Sequence, residues 1–361
     1  MQQRFPCLPV ATVVASVLAW VARIQAIGLL PEPDADALGH IGIARALLVH
    51  PTRIELHWVW LPAYHYYLCL LLRLGADAQT VRLINAALAA LLPFIVLRYA
   101  SSHKSEPQVP WLAALFCAVS PIIWLLGISA QQETLFSILI VSCAWAIDTK
   151  RFGRAGVLLA LASMIRYEAW GAVGLLAAFG TLACFPRLAR RLPAPLRASK
   201  SLLLVVAPAV LAIFGWFLAH RLLNGSWFGF LRELYRFTHG QRLVLTRSAS
   251  MEFLWFPVIL PTLLFGLALP LAFLGLLRAW RIGFLVPAGV AGFLLLSYGA
   301  KGSLGSARYY DALAPFVCLC AAEGVTRVSA RRPSWFGWLT TATTACLLVL
   351  AVWLGKWTFR F

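Results

Sequence analysis

The chain has 361 residues, 61% of them hydrophobic and 12% charged, with 31 Lys and Arg against 13 Asp and Glu and a net charge of +18. A mean hydropathy of +0.81 excludes a soluble globular domain and a disordered chain alike. Windows of the roughly 20 apolar residues that a spanning helix needs recur along the whole length, and their lack of two-residue alternation argues for helices and against an outer-membrane barrel.

The first apolar stretch, 8–30, is too long for a signal peptide and no cleavage site ends it, so it reads as an uncleaved first helix. Next comes PEPDADALGHIGIARALL, residues 31–48, which gathers Glu32, Asp34 and Asp36 within five positions and then turns into a short amphipathic helix. The aromatic-rich stretch 56–75, LHWVWLPAYHYYLCLLLRLG, is ambiguous from hydropathy alone. Further spans are predicted over 79–99, 110–129, 134–148, 155–167, 169–185, 201–222, 253–278, 283–299, 310–326 and 335–355. If 56–75 lies at the interface or re-enters and the N-terminus is cytoplasmic, the basic runs TKRFGR, PRLARRLPAPLRASK and SARRPSW all fall on the cytoplasmic side, as the positive-inside rule requires. Its Trp and Tyr residues suit the headgroup level. The expected fold is therefore all-α: a single domain over 1–361 with about eleven spanning helices, a long first external loop at 31–78 and a second at 223–252. The basic excess belongs to this topology and implies no nucleic acid.

On this topology charge collects at the external face. Asp34 and Asp36 lie in the first loop, GISAQQETLF carries Glu133, SMIRYEAW carries Arg166 and Glu168, and GSLGSARYYDALAP carries Lys301, Arg308 and Asp311. Ionisable groups at bilayer depth are costly and by default mark a functional site. Plainer readings stand beside each. Asp34 or Asp36 would serve as an N-cap, Arg166 and Glu168 would pair with each other, and Arg308 would snorkel to the headgroups. His40 and His65 read more readily as packed histidines than as catalysts. The arginines Arg232, Arg236, Arg242 and Arg247 read as a lipid-facing basic surface. The eight cysteines show no metal or redox spacing and read as inert thiols.

The order of these motifs resembles that of the GT-C glycosyltransferases, membrane enzymes that use polyprenyl-phosphate sugars: oligosaccharyltransferase catalytic subunits, protein O-mannosyltransferases and lipid A aminoarabinose transferases. The likeness starts at DALGHIGIAR, with Asp36, His40, Ile43, Ala44 and Arg45. It continues through WLPAYHYYLCLLLRLG, RLINAALAALLPFIVLRYA, ISAQQETLF, SMIRYEAW and ARYYDALAPF, covering about residues 8–185 well and the late Arg-Tyr segment less well. The chain departs from the family at Leu61, where aminoarabinose transferases have a phosphate-contacting Lys. It departs again in the second acidic motif, where Glu133 follows Gln131 and Gln132 and stands as the motif's one carboxylate.

The resemblance implies an inverting transfer of a sugar from a polyprenyl-phosphate-linked donor to a hydroxyl of a lipid or glycan acceptor. The setting is the extracytoplasmic side of a bacterial plasma membrane, among its lipids. Asp36 would be the general base, with Glu133 orienting the acceptor or supporting it. Arg308, Arg166 and Lys301 would hold the donor phosphate. Asp34, His40, His65, Tyr64, Glu168 and Tyr309 would line the substrate, with Trp227, Tyr235 and the loop arginines as cover. No metal ligand set or other cofactor is assigned; a divalent metal stays open, since one carboxylate falls short of the several oxygens it prefers. The alternative is a transporter or flippase for an anionic lipid or sugar phosphate, which would use the same basic cavity without a base. Against it stand the absence of an internal repeat and carboxylates at one face, not at the midplane.

Overall fold

The computed structural model describes residues 7–32, 34–103, 105–190, 201–244, 254–303 and 305–358, all helix, turn or coil and none of it strand. In chain order the helices are α1 Cys7–Leu29, α2 Ala35–Val49, α3 Pro62–Arg73, α4 Ala78–Ser101, α5 Val109–Ala118, α6 Pro121–Leu126, α7 Glu133–Asp148, α8 Phe152–Ser163 and α9 Glu168–Cys184. They continue, past a single helical turn at Pro186–Ala189, with α10 Leu202–Asn224, α11 Gly229–Val244, α12 Leu260–Phe265, α13 Ala268–Ala279, α14 Leu285–Gly299, α15 Ala314–Arg331 and α16 Trp335–Thr358. The basic run over 191–200 and Arg247 lie outside the described residues, as does the side chain of Arg242.

Among the described residues, five helices are long and apolar enough to cross a bilayer: α1, α4, α10, α14 with its leading turn, and α16. A sixth crossing results if Trp255–Phe265 and α13, bent by 101° at their junction, count as one. Two of the predicted windows are broken. The window 110–129 breaks into α5 and α6 at Ser120, because Pro121 disfavours a helical residue before it. The window 253–278 breaks at Gly266, whose φ of +47° is open to glycine and strained for other residues. Within 56–75 only α3 is α-helical, and its 12 residues extend about 18 Å, short of the ~30 Å hydrocarbon core.

Packing relies on small residues, as expected where lipid offers no contrast in hydrophobicity between helices. A Cβ on Gly171 of α9 would overlap the Gly289 carbonyl oxygen of α14, and one on Gly275 of α13 would overlap the Cys320 carbonyl oxygen of α15. These crossings bring α9 against α14 and α13 against α15, and α9 and α14 carry one wall of the cavity described next.

Candidate active site

The α1–α2 elbow is pinned by its own acids. Glu32 accepts hydrogen bonds from the Ser129 hydroxyl (2.6 Å) and the Ala130 amide (2.9 Å), with Arg82 of α4 at 3.6 Å. Arg82 donates to the carbonyls of Ile128 and Leu30, each at 2.8 Å, and Asn85 donates to those of Ser129 and Gln131, each at 2.7 Å. The elbow and the loop before α7 are thus both fastened to α4. Asp34 then caps α2 by accepting from the Asp36 amide at 2.8 Å. Of the two aspartates one is the cap, and the other, Asp36, leaves its side chain 32% exposed and lining a cavity of about 350 Å³.

Asp36 meets Arg308 there: the Arg308 Nη1 donates to Asp36 Oδ2 at 2.5 Å. Arg308 sits on the one-turn 3₁₀ segment Ala307–Tyr310, with its Nε 3.7 Å from Glu133. Arg166, in the turn between α8 and α9, is clamped by carboxylates. Its Nε and Nη2 donate to the two oxygens of Glu168 at 3.1 and 2.7 Å, and its Nη1 donates to Glu133. The Tyr309 ring lies 5.2 Å from the Arg166 guanidinium carbon and 5.9 Å from that of Arg308. Four separate elements therefore bring Asp36, Glu133, Arg166 with Glu168, and Arg308 with Tyr309 to one place.

Not every expected residue joins them. Lys301 follows α14 in a left-handed conformation (φ +59°), exposed and outside the cavity lining. Tyr64, His40 and His65 are fully buried behind the site, where Tyr64 donates to the Ala130 carbonyl at 2.8 Å. His65 bridges two other histidines, its Nε2 sharing a 2.8 Å hydrogen bond with His40 Nδ1 and its Nδ1 sharing another of 2.8 Å with His57 Nδ1. Three neutral imidazoles satisfy this chain, because a neutral ring donates at one nitrogen and accepts at the other. Burial holds them neutral. It lowers His40 to about 3, with help from the charges of Arg308 and Arg166, and His57 to about 4, with help from His220. His65 is pushed well below the usual range by burial and by its two histidine neighbours.

The cavity walls are not evident from the sequence. Trp60 and Trp170 line it, α14 adds Phe293 and Leu294, and α11 roofs it with Leu231, Leu234 and Phe237 while Arg232, Glu233 and Arg236 face outward. Trp227 and Tyr235, expected as cover, are exposed and outside the lining. The pinning residues Arg82 and Asn85 also escape the sequence reading, although a cation and an amide three positions apart on an apolar helix are a readable signal. Three of the buried polar atoms without hydrogen-bond partners among the described residues belong to cavity residues or their neighbour: Glu133 Oε2, Gln132 Oε1 and Arg308 Nε. Buried polar groups are ordinarily paired. Among the described residues no group of three or more His, Cys, Asp or Glu side chains is placed to hold a metal ion.

No family model matches the chain, and no curated protein aligns with it significantly.

Proposed function

We infer that this cavity transfers a sugar from a polyprenyl-phosphate-linked donor to a hydroxyl of a lipid or glycan acceptor, with inversion at the anomeric carbon. The observation that carries the reading is the contact between Asp36, a partly exposed carboxylate, and Arg308, an arginine with hydrogen-bonding capacity to spare, at the mouth of an aromatic-walled cavity. The acceptor hydroxyl gives its proton to Asp36 as its oxygen attacks the anomeric carbon. The bond from that carbon to the phosphate oxygen breaks, and the departing polyprenyl phosphate keeps the electron pair. Arg308 meets that growing charge, a planar fork suited to two phosphate oxygens. Arg166 already serves two carboxylates and acts as their positioning residue, holding Glu133 and Glu168 beside the reacting centre. The volume, about 350 Å³, suits one sugar ring with its phosphate better than a long glycan. On this reading the shorter apolar helices complete about eleven crossings, with the site on the extracytoplasmic face.

Substitution of the two aspartates tests the assignment. Asp36→Asn keeps size but accepts no proton at neutral pH, so transfer should fall by at least about a hundredfold, the low end of general-base catalysis, in a folded protein. Asp34→Asn retains a capping side chain and should lose much less. Near-wild-type transfer by folded Asp36→Asn would remove the base from Asp36, and collapse in Asp34→Asn alone would move it by two residues.

A further inference from the structure

The two arginines at the cavity are held very differently. Arg166 is 7% exposed and makes three hydrogen bonds to two carboxylates. Arg308 is 21% exposed and bonds Asp36, while its buried Nε finds no hydrogen-bond partner among the described residues and approaches Glu133 only to 3.7 Å. The group best able to receive a phosphate is thus the same group that occupies the base.

We propose that Arg308 is a shared cation, passed from Asp36 to the phosphate of the incoming donor, so that the base is unmasked only when the leaving group is seated. This rests on the donor reading above. In the resting cavity three carboxylates, Asp36, Glu133 and Glu168, share two guanidinium groups. A phosphate monoester or diester adds negative charge to a site already short of positive charge. It is accommodated because its oxygens offer Arg308 a two-pronged, charge-assisted contact in exchange for the single contact to Asp36. Asp36 then has a carboxylate oxygen free for the acceptor hydroxyl. The consequence is an ordered reaction, donor before proton transfer, and a competition between Asp36 and phosphate for one guanidinium.

Competition has a signature that runs against the usual expectation for an active-site variant. Asp36→Asn should disable transfer and yet bind polyprenyl phosphate, the donor's leaving group, about tenfold more tightly, a coupling of ordinary size between two sites. Equilibrium binding of radiolabelled polyprenyl phosphate in detergent micelles would be measured for wild type, Asp36→Asn, Arg308→Gln and the double variant, each checked for a wild-type unfolding midpoint. Arg308→Gln should bind more weakly than wild type, and adding Asp36→Asn to it should gain nothing, since no cation is left to release. Equal or weaker binding by Asp36→Asn overturns the handover. So does a gain of the same size with Arg308 absent, which would be simple relief of repulsion. If none of the four proteins binds polyprenyl phosphate, the donor class fails and the handover falls with it, whereas binding without the coupling leaves the donor class standing.

Discussion

Glu133 is shared by Arg166 and Arg308, and removing one or the other has opposite meanings. Arg166→Ala leaves Glu168, 9% exposed, without its cation and Glu133, 2% exposed, with only the 3.7 Å contact to Arg308, and breaking a buried pair in this way costs roughly 3–5 kcal/mol. Its expected outcome is a large drop in the thermal unfolding midpoint in detergent, and an unchanged midpoint would show that the clamp is dispensable. Arg308→Ala, at the wetter edge, should leave that midpoint near wild type and cut donor turnover, with Arg308→Lys recovering part of it because Lys lacks the fork. The histidine chain adds a pH dependence. His40 and His57 have folded pKa values of about 3 and 4, below the ordinary ~6.5. Their stabilising contribution is therefore complete above about pH 6.5 and is lost as pH falls from there towards their folded values, because the unfolded chain takes up protons first. Hydrogen-exchange protection factors across residues 35–73, corrected for the intrinsic slowing of amide exchange in acid, should fall between about pH 6.5 and 4.5, and unchanged protection there would contradict the neutral chain.

At the scale of elements, the α9–α14 crossing sets one wall of the site. Gly171→Val would place side-chain carbons in the space that the Gly289 carbonyl and the Phe293 side chain now fill, so the helices must part. Overpacking of this kind costs about 1–3 kcal/mol or more. Glu168 at the start of α9 would shift with its helix, so the expected result is lower stability together with lower turnover, while Gly174→Val, where a Cβ meets nothing within 4 Å, should be nearly silent in both assays. The elements that carry charge to the site are legible in the sequence, since Asp36, Glu133, Arg166 and Arg308 stand out against an apolar chain and lie at helix ends. What hydropathy hides is contact between distant positions. Nothing in the periodicity shows His65 joining residues 40 and 57, or Arg308 reaching a partner 272 positions away. Local backbone breaks are also weak signals within apolar runs, which is why the windows 110–129 and 253–278 read as single helices. The roof α11 reads as a basic surface in the sequence, because its outward arginines are conspicuous and its inward Leu231, Leu234 and Phe237 are ordinary.

For the whole molecule, sidedness decides whether the cavity meets an extracytoplasmic donor. Gly153 and Gly240 are exposed, and a Cβ at either meets nothing within 4 Å, so cysteines there should be tolerated. In a background lacking the exposed Cys7 and Cys184, an impermeant thiol reagent should label the cysteine at position 240 in intact cells and spare the one at 153. The reverse pattern would place the cavity on the cytoplasmic side. The most direct measurement of the central claim is donor cleavage. Purified protein would be incubated with polyprenyl-phosphate hexoses, mannose first, and a membrane lipid extract as acceptor, and free polyprenyl phosphate would be quantified against Asp36→Asn. The account predicts acceptor-dependent release by wild type that falls by at least about a hundredfold in the variant. Intact donor in both samples, with donor moving across a proteoliposome bilayer instead, would contradict it and identify a flippase.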